Sequence, residues 1–158
     1  MKQVIAAVLI LGLFTTTLMA SGSHDHSHDA SRYGVGEPGK GEPDRIIAVS
    51  MQDSMRFVFD PRLGELKNGE TIEFRVTNDG QIQHEFSIGN AEEQVKHAQM
   101  MQQMPNMKHN DPNTVSLAPG ESARLLWKFI GKDEVVFACN VPGHFEAGMK
   151  HRIAISGN

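Results

Sequence analysis

The chain has one cysteine among its 158 residues. An internal disulfide is therefore excluded. That cysteine, Cys139, is far from the small residues Ala20 to Ser23, so a lipid-anchored lipoprotein is not expected. Long apolar runs are also lacking. Val4 to Phe14 is the longest candidate, and it is too short and too quickly followed by threonines to read as a membrane span. Charge of one sign is scarce: 15 Lys and Arg stand against 19 Asp and Glu, a net charge of −4. A mild acidic excess argues against nucleic acid as a partner. His-x-His pairs occur only in His24-Asp25-His26-Ser27-His28.

Lys2, the apolar Val4 to Phe14 and the small residues near Ala20 have the layout of a secretory signal over residues 1–22. Its removal takes Lys2 away and leaves a formal charge of −5. Residues 23–45 carry His24, His26 and His28, then Gly34, Gly36, Pro38, Gly39, Gly41 and Pro43. That composition supports no core and predicts a disordered leader. Its histidines and interleaved aspartates suit loose binding of a divalent metal, or simply form a solvated tail.

Residues 46–158 read as one all-β domain. Strands are expected at Ile46 to Met51, Met55 to Phe59, Thr71 to Asn78, His84 to Ile88, Thr114 to Leu117, Ala123 to Phe129, Glu134 to Cys139 and Met149 to Ser156. Thr71 to Asn78 alternates cleanly, with Ile72, Phe74 and Val76 on one face. Short strands separated by turn residues indicate a β-sandwich or barrel. An insert at 90–110 breaks this pattern. Asn90 is placed to cap a helix, Glu92 and Glu93 favour its start, and Pro105 ends it near Met104. His97, Met100 or Met101, and Met104 share a helical face, and Met107 and His109 follow. Two readings stand: a second site for Cu(I), which thioethers select, or methionines that pack the insert onto the sandwich.

The densest chemistry lies in Cys139-Asn140-Val141-Pro142-Gly143-His144-Phe145-Glu146-Ala147-Gly148-Met149. A thiolate, an imidazole and a thioether at Cys-x4-His-x4-Met spacing are soft and borderline donors that suit copper. His84, opening an apolar strand in parity with Phe86 and Ile88, is the candidate for the second imidazole of a His₂Cys plane. His151 shares parity with Met149 and is expected to be a structural histidine near the site.

With these residues the chain resembles the cupredoxins, and in particular the copper-tolerance cupredoxins of the CopI type. The resemblance rests on His84-Glu85-Phe86, the Met- and His-bearing insert, Val115 to Glu121, and Val141 to Met149. It implies a Greek-key sandwich with a short helical Met-rich insert. It also implies one type-1 copper ion held by His84, Cys139, His144 and axial Met149, with His144 as the electron port and the Glu85 backbone N–H as support for the thiolate; a side-chain tie between Glu85 and Asn140 is left open. The expected function is one-electron transfer in the periplasm in the service of copper tolerance. The expected partner is a redox protein, either a cytochrome or a copper oxidase, and a monomer without stable membrane insertion is expected. The alternative is a copper chaperone or buffer working through the tail and the insert. A copper enzyme is disfavoured because it needs further ligands on further domains, and a binuclear centre would need a second loop cysteine.

Overall fold

The computed structural model describes residues 33–105 and 111–157. The expected signal, the histidines at 24, 26 and 28, and Met107 and His109 lie outside the described residues. In chain order the elements are β1 (Gly36–Pro38), β2 (Arg45–Gln52), β3 (Arg56–Asp60), β4 (Leu66–Lys67), β5 (Thr71–Asn78), β6 (His84–Gly89), α1 (Ala91–Gln103), β7 (Thr114–Leu117), β8 (Ser122–Phe129), β9 (Glu134–Ala138) and β10 (Lys150–Ser156).

Two five-stranded sheets form, in the orders β1-β8-β5-β2-β3 and β4-β10-β9-β6-β7. The alternating apolar residues face inward and make a shared core. Phe74, Phe86, Phe129 and Phe137 are fully buried there. Phe86 stacks on Phe137 at 5.4 Å between centroids, and Phe74 meets both rings at 5.3 and 5.5 Å. Aromatic clusters of this kind combine a large buried area with preferred ring geometry. Among the described residues the architecture is the expected all-β sandwich with one short helix.

Strand β6 is buried on both faces. Phe86 and Ile88 belong to the core, while Glu85 and Ser87 lie on the face that α1 covers, where the helix packs on β6 and β9. Asn90 caps α1 through a reciprocal capping box with Glu93. Gln94, Ala98 and Met101, at i, i+4 and i+7, form the buried face. The Gln94 amide donates to the carbonyls of Ser87 and Val136 at 3.1 and 2.9 Å. The insert is therefore a lid on polar strand residues that would otherwise meet water.

The leader expected over 23–45 needs correction. Its described part joins the sandwich. β1 pairs antiparallel with β8, Gly36 opposite Phe129. The Tyr33 ring meets Trp127 edge-on at 5.3 Å, and Val35 is fully buried. Gly34 N–H donates to Glu93 Oε1 at 2.8 Å, tying the arm to the start of α1. Gly36 has φ 147°, and a Cβ there would lie 2.1 Å from the Lys128 carbonyl oxygen. Glycine, which suggests disorder by composition, is here what lets an edge strand approach closely.

Candidate metal centre

The last strand pair builds the first half of the site. β9 and β10 are antiparallel, with Ala138 opposite Lys150. The loop between them is closed at its base by Cys139 N–H donating to the Met149 carbonyl at 3.0 Å. Within it, His144 N–H donates to Val141 O, and Met149 N–H donates to His144 O. Gly143 and Gly148 have φ 89° and 94°, which lets two tight turns flank His144. The spacing of four residues on each side of the histidine thus returns the chain to the strand pair with Cys139 and Met149 side by side. Both are fully buried, and His144 is partly exposed.

The second half arrives from β6. His84 is its first residue and is fully buried. Its Nδ1 lies 4.0 Å from Cys139 Sγ, and His144 Nδ1 lies 3.3 Å from the same sulfur. The two imidazoles are 4.9 Å apart between centroids. Among the described residues, His84, Cys139 and His144 form a group whose donor atoms all lie within 4.8 Å of one another. Sulfur and nitrogen ligands bond a first-row metal at about 2.0–2.3 Å, so donors around one ion are roughly 3–4 Å apart. The observed spacing and donor chemistry fit a copper ion.

The thiol environment fits as well. Burial pushes the Cys139 thiol up to about 12, against the opposing effect of backbone N–H groups of Glu85 and Val141. Glu85 N–H donates to Cys139 Sγ at 3.2 Å. A thiolate here requires a cation beside it, and a bound metal supplies one. His144 is shifted down, first by burial and then by the neighbouring His84. A lowered value keeps the imidazole neutral and able to donate a lone pair.

A buried polar network lies behind the donor group. Asn140 Nδ2 donates to Glu85 Oε1 at 3.2 Å and to Gln94 Oε1 at 2.8 Å. It also lies 3.2 Å from His97 Nδ1, and His97 Nε2 is 3.6 Å from Glu85 Oε1. Ser116 donates to Glu85 Oε2 at 3.1 Å. The Glu85–Asn140 tie left open by the sequence is therefore present. His97 is part of this network at the helix–sheet junction.

The helix methionines diverge. Met101 is 1% exposed, and Met104 is 46% exposed. Met100 lines a cavity between α1 and the β6–β7 edge. The face expected to carry His97, Met100 or Met101, and Met104 is divided: Met101 packs inward, Met104 is exposed and His97 lies against Asn140. His151 differs from its expected place too. It is exposed on β10, with its ring tilted against Phe59 at 5.1 Å between centroids. Phe145, next in the loop after His144, is partly buried, with Lys150 Nζ 4.3 Å over its ring.

One site residue is absent from the sequence reading. Asp53 Oδ1 lies 3.0 Å from His84 Nε2, and its Oδ2 accepts from Gln81 N–H at 2.8 Å. The Gln81 N–H, followed by His84, holds the Asp53 carboxyl below the usual carboxylate range. Its only local signal is a polar residue in the tight β2–β3 turn, 31 positions before its partner.

Comparison with known proteins agrees with the fold and with copper binding. The family described as copper binding proteins, plastocyanin/azurin family, matches residues 46–156. The copper-resistant cuproprotein CopI of Rubrivivax gelatinosus is 39% identical over 159 residues, covering 95% of this chain and 94% of that one. CopI of Vibrio cholerae is 40% identical over 135 residues, covering 83% and 79%. Among solved structures, reduced auracyanin from the photosynthetic bacterium Roseiflexus castenholzii superposes with a TM-score of 0.56. It is 20% identical, and the match covers 73% of this chain and 99% of that one.

Proposed function

Because the chain belongs to the plastocyanin/azurin family of copper-binding proteins, we propose that it is a periplasmic one-electron carrier serving copper tolerance. His84, Cys139 and His144 would be the strong copper ligands in this reading, and Met149 would add a weak thioether. Bound copper would supply a Cu(II)/Cu(I) couple, tuned by that thioether and by the surroundings of the Cys139 sulfur. The residues do the rest. The buried Cys139 and His84 sit in a rigid sandwich, which limits rearrangement between oxidation states. The Glu85 N–H supports the sulfur, and the partly exposed His144 offers the electron a route to a redox partner.

The observation that carries the reading is the convergence of three donor atoms within 4.8 Å, one of them a fully buried thiol. The copper-tolerance role is supported by the relatives called copper-resistant cuproproteins. The periplasmic location is supported by the signal-like residues 1–22. The test is the visible spectrum of the Cu(II)-loaded protein. An intense thiolate-to-copper charge-transfer band is expected, and Cys139→Ala should abolish it. Weak ligand-field bands alone would refute the type-1 assignment.

A further inference from the structure

His84 has two ring nitrogens with different neighbours. Nδ1 faces Cys139 Sγ at 4.0 Å, and Nε2 faces Asp53 Oδ1 at 3.0 Å. An ionised carboxylate only accepts hydrogen bonds. Nε2 must therefore carry the proton, which leaves the Nδ1 lone pair directed at the donor group. Asp53 in this way selects the tautomer of a histidine 31 residues away.

The contact is built rather than incidental. Asp53 sits in the turn between β2 and β3, where Met55 N–H donates to Gln52 O at 2.9 Å and Met55 takes φ 60°. The opposing loop is held by the buried Asn78, whose amide donates to the carbonyls of Ile82 and Leu117 and accepts from Gly80 N–H. Asp79 N–H donates to Met51 O at 3.0 Å, which closes the loop onto β2. Both carboxylate oxygens of Asp53 are then engaged, one by Gln81 N–H and one by His84. The approach needs Gly80. A Cβ on Gly80 would lie 2.0 Å from Asp53 Oδ1 and 3.1 Å from His84 Nε2. Gly80 does not have positive φ, so space rather than backbone conformation requires glycine.

We propose that Asp53 is a positioning residue of the copper site. Seated against Gln81 in the space beside Gly80, its carboxylate locks His84 with the proton on Nε2 and lowers the reduction potential of the loaded protein. This rests on His84 being a copper ligand. A carboxylate on the far side of a ligating imidazole raises its basicity, and the added negative charge favours the more highly charged oxidation state.

Asp53→Asn keeps an acceptor oxygen and the side-chain volume but removes the charge. It should fold, bind copper and keep the charge-transfer band. Its preference for Cu(II) over Cu(I) should fall by about tenfold, which for one electron is a rise of about 59 mV. A residue that only shaped the turn would not move the potential in this variant. The metal-free protein gives a second reading. Long-range ¹⁵N–¹H correlation should show His84 as the single Nε2-protonated tautomer in the wild type and as a mixture in Asp53→Ala. Gly80→Ala, which displaces the carboxylate, should reproduce the mixture. An unchanged potential in Asp53→Asn, or an Nδ1-protonated His84 in the metal-free wild type, would overturn the proposal. Failure of His84 as a ligand shows separately, as a charge-transfer band and copper content unaltered in His84→Ala.

Discussion

Cys139 is a thiol held where an unpaired thiolate is costly. It is fully buried, and its ionisation is displaced from about 9 in the unfolded chain to about 12 in the fold. The sign of the consequence follows. Below pH 9 the thiol is neutral in both states and nothing is lost. Between pH 9 and 12 the unfolded chain gives up the proton while the native state keeps it, so metal-free protein loses stability as pH rises. The slope is on the order of 1 kcal/mol per pH unit. Denaturant titrations of metal-free wild type and Cys139→Ala across that window check this. The wild type should lose stability faster with pH, and parallel curves would contradict it. The residues of the loop are legible in the sequence because their chemistry is concentrated in eleven consecutive positions. Asp53 is not, because its role depends on two turns meeting and on a missing Cβ at Gly80.

At the scale of elements, α1 covers Glu85 and Ser87 and thereby lets β6 be buried on both faces. Its buried face is Gln94, Ala98 and Met101, so the methionines divide between packing and exposure. Met101→Ala should cost about 2–5 kcal/mol, as truncation in a filled interior does. Met104→Ala should stay within about 0.5 kcal/mol, as exposed substitutions do. Thermal or denaturant unfolding distinguishes them, and equal effects would contradict this division. The helix and its cap are readable because Asn90, Glu93 and Pro105 mark both ends. Strand β5 is readable from its alternation. β1 and β4 are not: three and two residues carry no period. β1 is held by what lies around it, Tyr33 on Trp127 and Val35 in the core, within a stretch whose composition suggests disorder.

At the scale of the whole molecule, the sandwich brings together segments that are remote in sequence. His84 comes from β6, 55 positions from Cys139, and Asp53 comes from the opposite sheet's β2–β3 turn. The cross-sheet phenylalanine cluster holds these parts in register, so the donor group inherits the rigidity of the core. In this reading copper is held by one thiolate and two imidazoles from two of these segments, β6 and the loop after β9. The most direct measurement is copper-edge X-ray absorption fine structure of the loaded protein, with Cys139→Ala and His84→Ala as controls. One sulfur and two nitrogens are expected at short bonding distance in the wild type, the sulfur lost in the first variant and one nitrogen lost or replaced in the second. A wild-type spectrum with only nitrogen and oxygen neighbours at short distance would contradict it.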